Sequence, residues 1–468
     1  MSDFGGIGRR GFGRRTGGGT WKILVFLGVF VAAGVASVLL FLPPEIGFAA
    51  AVSVVPLVAI ALAVLRRPYH GVLLIFVLEY LRPQQFLPGL QAVRVPLLAN
   101  AGLFLVLLAR VIRDPKHSIV WPRQATTLAI LLVFMAVSVI TSRNNFWAFQ
   151  EFRVMGTIVM FFLLTVNYVD TPSRMRRLIA VFVAVHVVLC VKGITEFLLA
   201  GGRGTLGLVG GAFLGDQNDF ALAINVIFPF AYFAAASSRG AAKKTLWGFI
   251  ALLFLITIML TMSRGGFVGI AAVLIACWIR SRRKIRGAVA LALLVGTVAL
   301  IAPSRYFDEI RTIQQTDEGT AHKRREFWLA GLRMFAEKPL IGVGPGNSSL
   351  LMPLYVDLPE AGREWGRAMH GTLPLLLAEM GTVGAILYGA LFFQSVGDLR
   401  RTWREGKRGP ERRRFAEYMV NATGVSILGF LVTSTFLSAL TYPHIYVLVS
   451  FCFLQRRIAV GSDEEAFT

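Results

Sequence analysis

Long apolar runs separated by short polar segments occupy most of the chain. A bilayer core of about 30 Å requires roughly twenty apolar residues per helical crossing, and several of the runs are shorter than this. The pattern therefore predicts about twelve to fourteen transmembrane helices. The weakest run is 70–81, because Glu79 and Arg82 lie at its end. The runs cover residues 23–42, 46–65, 70–81, 95–109, 125–141, 154–168, 178–199, 219–236, 246–262, 265–279, 287–302, 371–396, 416–434 and 436–455.

The composition agrees with a membrane protein. Of the 468 residues, 55% are hydrophobic and 16% are charged, whereas about a quarter of the residues in a soluble domain are charged. The three cysteines Cys190, Cys277 and Cys452 lie in or beside apolar runs and have no spacing typical of a disulfide framework or a zinc site. We therefore predict an all-α, polytopic membrane protein.

The distribution of basic residues predicts the topology. A net charge of +22 would suggest nucleic-acid binding in a soluble protein, but cytoplasmic loops of membrane proteins concentrate lysine and arginine. With the N-terminus inside, most of the 48 lysines and arginines fall on inner segments. Both ends are then cytoplasmic, the first run 23–42 is a retained helix, and nucleic acid is excluded as a partner. The short outer loops hold only Arg82, Arg94, Arg143, Arg153, Arg203 and Arg264.

Two outer connections are longer than a turn, namely Gly201–Asp219 and Pro303–Met369. Long connections are usually functional. The second contains Lys323-Arg324-Arg325, followed by Trp328, Leu332 and Phe335 at the spacing of one helix face. This spacing predicts an amphipathic helix on the membrane surface. It is either a plain interfacial anchor or a helix that presents Arg324 or Arg325 to a phosphate.

Arg264 lies in the turn of a helical hairpin, in the sequence Ser263-Arg264-Gly265-Gly266. The hairpin is short, so Arg264 is placed at or just below the outer surface. An arginine near the apolar core is costly and usually functional. We expect it to bind an anion, the alternative being an arginine that snorkels from a turn.

The segment Gly342-Val343-Gly344-Pro345-Gly346-Asn347 has the glycine spacing of a dinucleotide-binding loop. It lacks the strand and helix that such a loop requires. We interpret it as a tight turn that returns the chain to the membrane.

His370 stands at the outer end of an apolar run, directly after the long loop. An imidazole can take a proton from a hydroxyl near neutral pH. A lone interfacial histidine is more often structural, so its interpretation depends on its neighbours.

These segments together resemble the O-antigen ligase and O-antigen polymerase superfamily of bacterial membrane glycan transferases. The resemblance runs through residues 200–395. Two positions depart from the family: Gly371 replaces a frequent polar residue after the histidine, and Arg325 beside Arg324 leaves the second anion-binding arginine open. The motifs are Gln217-Asn218-Asp219, Ser263-Arg264-Gly265, Arg324 to Trp328, Pro339 to Asn347, and His370 with Ala378-Glu379-Met380-Gly381.

The resemblance implies a transferase at the periplasmic face of the bacterial inner membrane. The donor would be an undecaprenyl-diphosphate-linked glycan, and the acceptor a glycolipid such as lipid A–core, another glycan or a protein. No metal or other cofactor is implied. His370 would be the catalytic base, Arg264 with Arg324 or Arg325 would bind the diphosphate, and Gln217, Asn218 and Asp219 would be donor-loop candidates. The reaction would invert the anomeric centre.

The same resemblance implies four regions along the chain. Residues 1–20 are a cytoplasmic Gly/Arg-rich tail and residues 21–200 are N-terminal transmembrane helices. Residues 201–395 are the catalytic region, with the periplasmic loop 303–369. Residues 396–468 are C-terminal transmembrane helices and a cytoplasmic tail.

Two alternatives remain at this point. A polymerase would use the same donor and chemistry with another lipid-linked repeat as acceptor. A polysaccharide or lipid transporter would place ionisable groups near the bilayer midplane, whereas the residues singled out here gather at the outer rim.

Overall fold

The computed structural model describes residues 67–82, 95–114, 118–202, 206–207, 214–281, 318–406 and 409–460, with a few positions between 284 and 296. The regular secondary structure in these ranges is helical, and none of these residues lies in a strand. The chain divides into two units, residues 1–71 and 72–468, and the candidate site lies in the second. The α-helices are α1 Pro68–Leu81, α2 Val95–Arg113, α3 Arg123–Thr141, α4 Asn145–Tyr168, α5 Pro172–Leu199, α6 Gln217–Ser237, α7 Ala241–Leu260, α8 Arg264–Arg280, α9 Glu318–Glu337, α10 Ser348–Tyr355, α11 Thr372–Glu405, α12 Pro410–Ser434 and α13 Pro443–Val460.

Eight of the described helices are long and apolar enough to cross a membrane: α2 to α7, α11 and α12. The prediction of an all-α polytopic membrane protein is therefore confirmed. The predicted runs 23–42 and 46–65 lie outside the described residues, as does most of 287–302. The total of twelve to fourteen crossings stays a prediction.

Several helices extend beyond their apolar runs because polar residues cap them. Helix α4 begins at Asn145, nine residues before the predicted run, since the side chain of Asn144 accepts a hydrogen bond from Trp147 N at 3.2 Å. Helix α5 begins at Pro172 after the capping residue Thr171. Side-chain oxygens of this kind satisfy backbone donors that have no partner within the helix.

Helix α6 is buried along most of its length and packs closely against α8 and α12. Its Asn225 is fully buried and donates to Gly266 O at 3.0 Å and to Thr433 Oγ1 at 2.9 Å. A Cβ added at Gly269 would lie 2.1 Å from Thr433 Oγ1. Small residues let membrane helices approach to this degree. The N-terminal end of α8, which carries Arg264, is therefore held by close packing against α6 and α12.

Helix α11 is broken at Gly381, whose φ of 60° lies in the left-handed region. The break opens the two helical hydrogen bonds that would join Thr382 N to Ala378 O and Val383 N to Glu379 O. Residues in the segment 339–344 form hydrogen bonds with all four of these backbone groups. Thr382 N and Val383 N donate to Pro339 O and Leu340 O at 2.8 and 3.2 Å, while Ala378 O and Glu379 O accept from Val343 N and Gly344 N at 2.8 and 3.1 Å.

Glycine is required on both sides of this exchange. A Cβ at Gly342 would lie 2.4 Å from Glu379 C, and one at Gly381 would lie 2.6 Å from Leu340 C. Gly342 also has a positive φ of 69°. The glycine-rich segment thus serves backbone pairing with a broken helix, in agreement with the interpretation as a tight turn.

The end of the same segment is attached to the turn between α3 and α4. Asn347 is fully buried, accepts from Asn144 N at 2.9 Å and donates to Asn144 O at 3.3 Å. Ser348 Oγ, next in the chain, donates to Glu379 Oε1 at 2.6 Å. These bonds join the long connection between α8 and α11 to α4 and α11, the helices beside the candidate site.

Candidate functional site

Arg264 is the first residue of α8, and its neighbours determine where it stands. Ser263 caps the helix by accepting from Gly266 N at 3.0 Å, and its hydroxyl donates to Asn218 Oδ1 at 2.7 Å. A Cβ at Gly266 would lie 2.5 Å from Ala221 Cβ. The absence of a side chain at Gly266 therefore allows α8 to pack closely against α6. Arg264 itself is partly exposed, at the end of α8 that meets the start of α6.

The connection before α6 supplies an acidic residue to the site. Asp216 caps α6 by accepting from Asn218 N at 2.7 Å, and it lies within electrostatic range of His370. Of the three predicted donor-loop residues, Asn218 bonds to Ser263 and Asp219 hydrogen-bonds to Tyr442. Gln217 is half-buried. Asp216 was not among the predicted site residues, although an aspartate directly before an apolar helix is a recognised capping signal.

Helix α9 brings Arg324 to the same place. The Arg324 side chain is half-buried, and burial together with the cation of Arg264 lowers its pKa from the ordinary value. Arg325 is exposed, and Lys323 forms an ion pair with Glu364 at 2.9 Å. Of the three consecutive cations, Arg324 is therefore the one that the structure places beside Arg264. An anion bound between two guanidinium groups of this kind would offset their repulsion.

The amphipathic helix predicted in the long loop is α9, and it packs through a different face from the one formed by Trp328, Leu332 and Phe335. The residues of α9 that are buried against the protein include Phe327, Ala330, Gly331 and Met334, together with the charged Glu326, whereas Leu332 is 45% exposed. Trp328 lies at the edge of the packed face, and its indole N–H donates to His370 O at 3.1 Å. Trp328 therefore contacts the backbone of the candidate base, and the position of α9 at a membrane surface stays a prediction.

His370 adopts a backbone conformation that residues other than glycine rarely adopt, with a φ of 52°. Its backbone is held at both ends, because its N–H donates to Ser438 Oγ at 3.2 Å and its carbonyl accepts from Trp328. Thr372 Oγ1, two residues on, donates to Leu437 O at 2.6 Å. Strained positions persist only where the surroundings determine them, and they are frequent in functional sites.

The next residue, Gly371, explains one departure from the family pattern. A Cβ at this position would lie 2.7 Å from Trp328 Nε1 and 3.2 Å from Trp328 Cε2. The indole therefore occupies the space that a larger residue after the histidine would need.

The charges around His370 favour its neutral form. Burial lowers its pKa from the ordinary value, and the cations Arg324 and Arg367 lower it further, whereas Asp216 raises it. A neutral imidazole is the form that accepts a proton. The site thus combines a neutral imidazole with two cations, contributed by α8, α9 and the segment that precedes α11.

Metal ligands were not predicted, and the described residues contain no group of three or more His, Cys, Asp or Glu side chains that could hold a metal ion. Metal independence of the reaction stays a prediction.

The candidate site lies in a part of the chain that matches a known protein family. Residues 249–389 match the O-antigen ligase family. The matched region runs from α7 into α11 and contains Arg264, Arg324 and His370, which confirms the resemblance for this part of the chain. No curated protein matches the chain.

Proposed function

From the O-antigen ligase match over residues 249–389, which supports a glycan transferase activity, we propose the reaction and its location. The protein transfers a glycan from undecaprenyl diphosphate to an acceptor hydroxyl at the periplasmic face of the bacterial inner membrane. The reaction needs no metal and inverts the anomeric centre.

The observation that carries this proposal is the convergence of three residues distant in the sequence. Arg264 acts on the pKa of Arg324, and Arg324 acts on that of His370. The three side chains therefore share one site, where two cations accompany a neutral base. Anion binding and proton removal are the two operations that transfer from a diphosphate requires.

The cations stabilise the leaving group. Guanidinium groups bind phosphate oxygens through charge-assisted, often bidentate hydrogen bonds. Negative charge grows on the diphosphate as the bond to the sugar breaks, and cations already in position stabilise this charge without rearranging. Arg264 and Arg324 perform this role in the proposal, and the exposed Arg325 lies outside it.

His370 removes the proton of the acceptor hydroxyl. The acceptor oxygen attacks the anomeric carbon from the face opposite the diphosphate, and the carbon–oxygen bond to the diphosphate breaks with its electron pair on the leaving group. The resulting imidazolium is stabilised by Asp216, the anion that raises the pKa of His370. The acceptor is a glycolipid such as lipid A–core, a further lipid-linked repeat, or a protein, and the first two distinguish a ligase from a polymerase.

The test uses cells that lack this protein and are complemented with wild type, Arg264→Ala or His370→Ala. Equal amounts of each variant in the membrane fraction are required. We expect long-chain surface glycan to return with wild type alone, while lipid-linked donor accumulates with the variants. Retained lipid-linked polymer without attachment indicates a ligase, and attachment of single repeats indicates a polymerase. Full restoration by both variants would remove these residues from the mechanism and reopen the transporter alternative.

A further inference from the structure

A cavity of about 230 Å³ lies beside the candidate site. It reaches Met369, the residue before His370, and Ser438, whose hydroxyl accepts the His370 N–H. Neither arginine of the proposed diphosphate site lines it. The cavity therefore approaches His370 through its own set of residues, distinct from the cations.

The walls of this cavity are suited to a neutral, hydroxyl-rich ligand. They contain two carboxyl groups, Glu151 and Glu379, with the hydroxyls of Thr441 and Tyr388 and the indole of Trp147. Carboxyl groups exchange hydrogen bonds with sugar hydroxyls. The residues that line the cavity include no lysine, arginine or histidine, so a phosphate or carboxylate of a ligand would lose its hydration there without gaining a cation. An aromatic face beside polar groups is a suitable surface for a sugar ring.

Both carboxyl groups are held in place by neighbouring residues. Glu379 is 7% exposed and accepts from Ser348 Oγ at 2.6 Å, while Glu151 hydrogen-bonds to Thr441. A preorganised acceptor group loses less entropy when a ligand binds. The volume is also appropriate, since an apolar cavity of about 150 Å³ accommodates one benzene ring.

The chemistry of the proposed reaction requires an acceptor site that is separate from the diphosphate site. In an inverting displacement the acceptor oxygen and the leaving diphosphate lie on opposite faces of the anomeric carbon. The cations bind the diphosphate, so the acceptor must reach His370 from elsewhere. We propose that the Glu151–Glu379 cavity binds one neutral sugar ring of the acceptor. This inference rests on the function proposed above and adds a substrate class to it.

The experiment measures binding alone, without donor or turnover. Purified protein in lipid nanodiscs is mixed with glucose, galactose, N-acetylglucosamine or glucuronic acid, and saturation-transfer NMR detects contact. We expect signal from at least one neutral sugar and none from glucuronic acid. Ser349→Phe, which fills the cavity, and the isosteric Glu151→Gln should each weaken binding about tenfold or more.

Two matched variants serve as controls. Leu354 lies on the same helix as Ser349 but is 64% exposed, and Glu360 is an exposed glutamate of the outer loop; neither lines the cavity. Leu354→Phe and Glu360→Gln should bind as wild type does. Absence of signal from every neutral sugar, or undiminished signal in both Ser349→Phe and Glu151→Gln, would overturn the proposal.

Different results would contradict the transferase mechanism and the sugar-binding cavity. If glycan synthesis depends on Arg264 and His370 while no neutral sugar binds, only the cavity assignment is lost. If a sugar binds in the cavity while those variants restore glycan fully, the transferase mechanism is lost and the binding site remains.

Discussion

The indole N–H of Trp328 donates to the backbone carbonyl of His370 at 3.1 Å, across 42 residues of sequence. This bond joins helix α9, which carries Arg324, to the residue proposed as the base. Together with the bond from His370 N to Ser438, it holds a histidine with positive φ in one orientation. The position of the base is therefore determined by contacts from two other parts of the chain.

Replacing Trp328 by phenylalanine keeps a ring in place but removes the donor. A hydrogen bond contributes roughly 1 kcal/mol, so we expect kcat of the transfer reaction to fall about three- to tenfold with little change in acceptor KM. Steady-state kinetics with purified enzyme measure both constants. Trp365→Phe is the control, because Trp365 lies in the same connection between α8 and α11 and is 66% exposed. An unchanged kcat in Trp328→Phe would show that the bond does not position the base.

The acid limb of the pH–rate profile should report the environment of His370. Its lowered pKa keeps the imidazole neutral below the ordinary value of about 6.5, so the midpoint of the acid limb in kcat/KM should lie below this value. Arg367→Gln removes a cation that disfavours the imidazolium and should move the midpoint to higher pH. Asp216→Asn removes the favourable anion and should move it to lower pH. Shifts of the opposite sign would exclude His370 as the titrating base.

Arg324 and Arg325 form a matched pair of adjacent arginines with different environments. Arg324 is half-buried beside Arg264, and Arg325 is exposed. Loss of a preorganised group that stabilises developing charge reduces kcat about 10²–10³-fold, and we expect this for Arg324→Ala. Arg325→Ala should retain activity within about threefold. The in vitro transfer rates of the two variants show which arginine contributes to the reaction. Equal losses of activity would contradict the assignment of Arg324 to the diphosphate site.

The break in α11 should tolerate no side chain. Gly381→Ala adds a Cβ at 2.6 Å from Leu340 C in a residue with positive φ, so we expect it to lower the free energy of unfolding by about 2 kcal/mol or more. Thermal unfolding in detergent measures this. Gly389 lies in the same helix, and nothing within 4 Å would meet its Cβ. Gly389→Ala should be neutral or slightly stabilising, and equal effects of the two substitutions would contradict the proposed role of Gly381.

The sequence alone determined which segments form helices and which polar side chains stand at the ends of these helices. Apolar runs of this length require helices because backbone groups in a bilayer must pair within their own segment. Arg264 and His370 could be selected in the same way, since each lies where an apolar run meets a break. The family match then confirmed the resemblance on residues 249–389.

The tertiary structure decided the features that depend on contacts between distant residues. It distinguished Arg324 from Arg325, which are adjacent in sequence and chemically identical, because Arg324 is half-buried within electrostatic range of Arg264 while Arg325 is exposed. It added Asp216 to the surroundings of His370, and it paired the backbone of residues 339–344 with the break at Gly381. Hydrophobic periodicity reports only which face of a helix is buried away from water. It therefore cannot show which loop forms hydrogen bonds with the carbonyl groups of a broken helix, or which of two adjacent arginines lies near a third arginine elsewhere in the chain.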